Sequence, residues 1–162
     1  MLHQAAIAQP NYPRNPELAK LIYSDLINFT KAYKALETDS DTVQVLQTLY
    51  FDRGSDGLKE FVNRHQLTPQ LLKDAMMAHP QRYALFPGFL ENVEEVEVQF
   101  KDLMQKYHKV MPEAMYAPTY LLVGANRGIG QASLAGQLIT LTRVVDDTEK
   151  LQKLIVHELS HF

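Results

Sequence analysis

Leu151-Gln152-Lys153-Leu154-Ile155-Val156-His157-Glu158-Leu159-Ser160-His161-Phe162 closes the sequence, and its spacing governs how the rest is read. Leu151, Leu154, Ile155, Leu159 and Phe162 recur at steps of three and four, which predicts one buried stripe on an α-helix. Asp146 and Glu149 suit the N-cap and N3 positions where that helix starts. His157 and His161 stand four apart, so they lie one helical turn above each other on one face, at the edge of the stripe.

That spacing carries chemistry. Imidazole is among the best donors to zinc, which prefers a tetrahedron of four ligands. Two imidazoles one turn apart can share an ion without straining the backbone. Glu158, next to the first histidine, can orient a water, take its proton and pass it to a leaving amine. Five residues thus supply two metal ligands, His157 and His161, and a catalytic base, Glu158, in a His-Glu-x-x-His pattern. The expected cofactor is Zn2+, and the expected partner is a peptide or protein substrate. A catalytic zinc also needs a third protein ligand. Upstream donors stand at His65, His79, His108 and Asp146, none at a diagnostic spacing.

Upstream lies Gly124-Ala125-Asn126-Arg127-Gly128-Ile129-Gly130, which follows the apolar run Thr119-Tyr120-Leu121-Leu122-Val123. It copies the phosphate-binding turn of dinucleotide enzymes, and that reading makes residues 131–143 a helix and NAD(P) a cofactor of a reductase. Too few residues follow Gly130 for the remaining βα units, and no Tyr-x-x-x-Lys pair occurs. A glycine-rich hairpin turn is the plainer expectation, joining a strand at 119–123 to a second at 136–141, with Ile139 and Leu141 on one face. That second strand offers an edge on which an extended substrate could add.

The N-terminal part reads as helices. Asn15-Pro16 is an N-cap and first-turn pair, and Leu18, Ile22, Leu26, Phe29, Tyr33 and Leu36 predict one long helix behind it. A second helix is expected from about Asp41 to Tyr50. Ser55 and Thr68-Pro69 each open another. Pro80 and Pro87-Gly88 interrupt the chain before Phe89, Val93, Val96, Phe100, Leu103 and Tyr107 form a further stripe.

With 162 residues, 46% of them hydrophobic and 22% charged, the sequence suits one globular core. A net charge of -3 argues against a nucleic-acid footprint or a polybasic membrane patch. The absence of cysteine excludes disulfides and thiol catalysis. No apolar run approaches the ~20 residues of a transmembrane helix. Residues 1–14 read as an irregular segment, and Ala6-Ile7-Ala8 has the small-x-small form of a signal-peptidase site. The expected location is therefore periplasmic or secreted. If the segment is only a frayed terminus, a cytoplasmic location is expected instead.

The order of these segments resembles a family of bacterial predicted zinc-dependent proteases, a domain of unknown function that borders the gliding-motility lipoprotein B proteins. Ser24-Asp25-Leu26-Ile27-Asn28-Phe29 with Ala32-Tyr33 is similar to its opening helix. Tyr50-Phe51-Asp52-Arg53-Gly54-Ser55-Asp56-Gly57-Leu58 with Phe61 is similar to its helix–turn–helix step. Pro118-Thr119-Tyr120-Leu121-Leu122-Val123-Gly124 is similar to its first strand, residues 128–141 to its glycine turn and returning strand, and residues 154–162 to its metal helix.

The resemblance implies a zincin-like α+β fold: a mainly helical N-terminal layer, a β-hairpin connected by residues 124–130, and the metal helix. It implies a single domain over 15–162, incomplete at its C-terminal end, where the family continues and zincins place the third ligand. Family members are often exported. Only His157, Glu158 and His161 carry over as functional positions. The expected activity is peptide-bond hydrolysis; the alternative is a non-catalytic helical binding or scaffold module.

Overall fold

Residues 10–162 are described by the computed structural model and have an α+β fold; Ala6-Ile7-Ala8 lies outside the described residues. Asn15 caps as its sequence suggests, its Oδ1 accepting from Glu17 N at 3.0 Å, but the turn it opens is a 3-10 turn, Pro16–Leu18. The chain then extends as β1 (Leu21–Ile22) and becomes α-helical only in α1 (Ser24–Ala35). The single long helix expected from Leu18 to Leu36 is thus three elements, a 3-10 turn, a strand and a helix. Helical spacing across Leu18, Ile22 and Leu26 is overridden by the sheet, where Lys20 O accepts from Thr119 N at 2.8 Å and Leu21 and Ile22 pair with Thr119 and Tyr120.

Six further helices follow α1 before the chain returns to the sheet. α2 (Thr42–Leu46), capped by Asp41, runs into a π turn, Gln47–Phe51, that carries Tyr50 into the core. α3 (Asp56–His65) starts at Ser55, whose hydroxyl accepts from Leu58 N at 3.2 Å. α4 (Pro69–Ala78) starts at Thr68, whose hydroxyl accepts from Leu71 N at 3.2 Å. Pro80 and Pro87 fall in the first turns of two short helices, α5 (Pro80–Tyr83) and α6 (Phe86–Glu91), which lead into α7 (Val93–Val110). These helices close around Phe29, whose ring centre lies 5.5 Å from Tyr50, 6.1 Å from Tyr83 and 5.3 Å from Phe86.

The remaining elements are β2 (Thr119–Leu122), β3 (Gly130–Ala132), β4 (Gln137–Thr140) and α8 (Thr148–Leu159). The sheet order is β1-β2-β4-β3. β2 and β4 run parallel, so the expected hairpin between 119–123 and 136–141 does not form. The hairpin is β3–β4 instead, closed by Ser133 N on Gly136 O at 2.9 Å and Gly136 N on Ser133 O at 3.2 Å. Parallel neighbours cannot be joined by a tight turn. Residues 123–129 therefore cross the top of β4 and span two strand spacings, about 10 Å, before the chain returns.

Buried hydroxyls tie the helical layer to the end of β2. Tyr50 OH donates to Val123 O at 2.8 Å and accepts from Val123 N at 3.0 Å. Tyr83 OH donates to Gly124 O at 2.8 Å, and Thr142 Oγ1 donates to the same oxygen at 3.0 Å. Burial pushes the Tyr50 hydroxyl well above its ordinary pKa and raises that of Tyr83. Among the described residues, no helix is long and apolar enough to cross a membrane.

Candidate functional site

α8 begins one residue later than its sequence suggests. Asp147 is the cap, its Oδ1 accepting from Lys150 N at 2.9 Å, while Asp146 turns away to pair with Arg82 at 3.3 Å. Leu151, Leu154, Ile155 and Leu159 are buried, as their spacing predicts. Phe162 packs edge-on against Tyr12 at 5.4 Å. The stripe holds one surprise: Glu158 lies within it, only 7% exposed.

His157 and His161 are both exposed. His157 is on the last turn of α8, and His161 lies just past its final residue. The helical path continues there in a tightened turn, with Ser160 N on Val156 O at 3.1 Å and His161 N on Glu158 O at 3.3 Å. The two ring centres are 5.2 Å apart and the rings are nearly perpendicular, at 88°. An ion held about 2 Å from one nitrogen of each ring, at a tetrahedral angle, places the ring centres about 5 Å apart. The observed ring-centre separation equals that spacing.

Glu158 faces the sheet. A Cβ placed on Gly130 would fall 2.6 Å from Glu158 Oε1 and 2.8 Å from its Cγ, so the carboxylate packs directly against the start of β3. β3 is the edge strand. Ser133 bonds to Gly136, and Ile129 O accepts from Thr140 N at 3.0 Å, so the residues of β3 that bond to β4 alternate from 129 to 133. The N–H and C=O groups of Gly130 and Ala132 then point outward, away from β4. The strand expected to offer its edge, residues 136–141, lies inside the sheet between β2 and β3 and has no free edge.

The other donors considered from sequence are dispersed. Asp146 precedes α8, whose rise from Thr148 to His157 is roughly 13 Å, so it cannot join the histidine pair. His79 lines a pocket with Arg82 and Asp146. His108 is on α7 beside Tyr116, with its Nδ1 buried and unpartnered. His65 stacks on Phe61 at 4.4 Å and contacts Gln131 of β3 at 2.8 Å. Among the described residues, no three His, Asp or Glu side chains form a group able to hold a metal ion.

The glycine turn serves the fold. Residues 130–140 after it form β3, a turn and β4, so the helix N-terminus that a dinucleotide pyrophosphate needs is missing. Its polar groups bond inward: Gly124 N donates to Thr142 Oγ1 at 3.2 Å, and Gly128 O accepts from Thr140 Oγ1 at 2.5 Å. The NAD(P) expectation is corrected on this ground.

A cleft of about 270 Å³ adjoins His161, lined by Tyr12, Arg64, Met115, Leu134 and Phe162 with residues of the hairpin. Sequence reasoning missed this cleft and its Arg64. The signal lay in β3, whose three residues Gly130-Gln131-Ala132 are too short and too small to announce a strand. The chain matches no family model, no curated protein and no solved structure.

Proposed function

We propose that this chain is the core of a zinc-dependent peptidase of the zincin type that its sequence resembles, with His157 and His161 as metal ligands and Glu158 as general base. The observation that carries the reading is that Glu158, next to His157 on α8, packs against Gly130 at the start of the edge strand β3. An extended peptide pairing with the outward groups of Gly130 and Ala132 would run past that carboxylate. Zinc supplies Lewis acidity at such a site, enough to polarise a carbonyl and acidify water. Glu158 takes a proton from the attacking water and delivers it to the departing nitrogen. Glycine at 130 lets the substrate backbone and the carboxylate approach each other closely.

Glu158→Gln tests this directly. Incubated with zinc and a peptide library, the variant should keep its zinc and cleave about 10²–10⁴-fold more slowly than the parent. Undiminished cleavage would contradict the assignment. The lack of a third donor among the described residues favours a second reading, a module that binds peptides without cutting them. It predicts no stoichiometric zinc in the purified protein and a melting temperature indifferent to chelators.

A further inference from the structure

Arg64 gives the cleft beside His161 a positive charge with no counter-ion among the described residues. It sits in the last turn of α3, exposed, and takes part in none of the ion pairs among the described residues. A guanidinium can only donate, so the Gln131 side chain must present its amide oxygen to it. In that orientation Gln131 accepts from Arg64 Nε at 2.8 Å and from Nη1, and its amide nitrogen donates to His65 Nε2 at 2.8 Å. His65 is itself braced by Phe61. The guanidinium is thus held against the edge strand by a neutral partner that aligns it and leaves its charge unbalanced.

Apart from His161 and Ser133, the rest of the cleft is apolar. Tyr12, Met115, Leu134 and Phe162 line it, and Leu134 is 54% exposed at the hairpin tip. Tyr12 holds that wall in place, donating to Leu134 O at 2.7 Å and packing on Phe162. One aligned cation in an apolar cleft, next to outward-facing peptide groups, matches an extended peptide with hydrophobic side chains and one carboxylate. Ser133 and Leu134 also line the cleft, which leaves room for a bound chain to continue beyond a carboxylate held by Arg64.

We infer that the cleft selects peptides carrying an Asp or Glu side chain, read by Arg64. The inference rests on the peptide-binding part of the reading above and names its substrate class.

Fluorescent seven-residue peptides with amidated C-termini, differing only in Glu, Gln or Lys at one scanned position, give the test. Their affinity for the zinc-treated chain is read by anisotropy, and cleavage is read separately by mass spectrometry. At the best position Glu should bind about fivefold tighter than Gln, the upper end for an exposed but aligned ion pair. The gap should shrink with added salt. Arg64→Gln should remove it, Arg64→Glu should turn the preference toward Lys, and Arg64→Lys should keep part of it. Equal binding of Glu and Gln peptides, a gap that survives Arg64→Gln, no binding of any peptide, or a preference that follows a free C-terminal carboxylate instead would each overturn the inference. Acid-selective binding without cleavage sustains it while contradicting the peptidase reading; cleavage without acid preference does the reverse.

Discussion

Gly130 and Glu158 share one space: a Cβ on Gly130 would lie 2.6 Å from Glu158 Oε1 and 2.7 Å from Leu154 Cδ1. The glycine that looks like part of a phosphate turn is the residue that admits a carboxylate between a helix and an edge strand. Gly130→Ala should cost about 1–3 kcal/mol of stability in urea unfolding, as overpacking does. Part of that cost should vanish in a Glu158→Ala background. Strict additivity of the two substitutions would contradict the contact.

Two other glycines should respond with opposite signs. Gly136 has φ of 138°, and a Cβ there would run into the Pro118 carbonyl. Gly136→Ala should lower stability by about 2 kcal/mol or more. Gly88, inside α6, has nothing within 4 Å of its would-be Cβ. Gly88→Ala should raise stability by about 0.4–1 kcal/mol through the unfolded chain. Thermal melts of the two variants should move in opposite directions.

The tyrosines that anchor β2 are not equivalent. Tyr50→Phe leaves both Val123 N and Val123 O without their buried partner and should cost about 1–3 kcal/mol. Tyr83→Phe removes only one of two donors to Gly124 O, because Thr142 Oγ1 keeps its bond at 3.0 Å. Its cost should be the smaller, about 0.5–1.5 kcal/mol. Denaturant titration of both variants checks the order.

Asp25 sets a pH dependence. Its buried carboxylate accepts from Ser55 N at 2.9 Å and from Ser55 Oγ at 2.5 Å. Burial pushes its pKa above the ordinary 3.8, although the Ser55 hydrogen bonds and nearby Lys59 pull it down. The folded state therefore holds this proton more tightly than the unfolded state. The resulting stability is fully present below the unfolded value and is lost as pH rises through the folded one. Measured against Asp25→Asn, the parent should lose relative stability as pH rises from below the ordinary 3.8 through the raised folded value. A flat difference, or one of opposite slope, would contradict this account.

Local signals told the truth where local physics decides. Ser55, Asp41 and Thr68-Pro69 do start helices, and the α8 stripe faces the core. The larger misreadings are non-local. Leu21 and Ile22 fit a helical period, yet they are claimed by a strand formed far along the chain. The apolar runs at 119–123 and 136–141 look like hairpin partners but run parallel, because the short β3 between them takes the antiparallel place beside β4. At the site, the spacing of His157 and His161 was legible. The burial of Glu158 was not, since it depends on Gly130 lacking a side chain. The alignment of Arg64 was invisible because it comes from Gln131, on another element.

The proposed peptidase chemistry requires that His157 and His161 bind one metal ion together. Zinc K-edge X-ray absorption on the zinc-loaded chain measures this most directly. We expect one shell at about 2.0–2.1 Å containing two imidazole nitrogens, lost when His157 and His161 are replaced by Ala. Zinc that binds without imidazole scattering, or a spectrum unchanged by those substitutions, would contradict it.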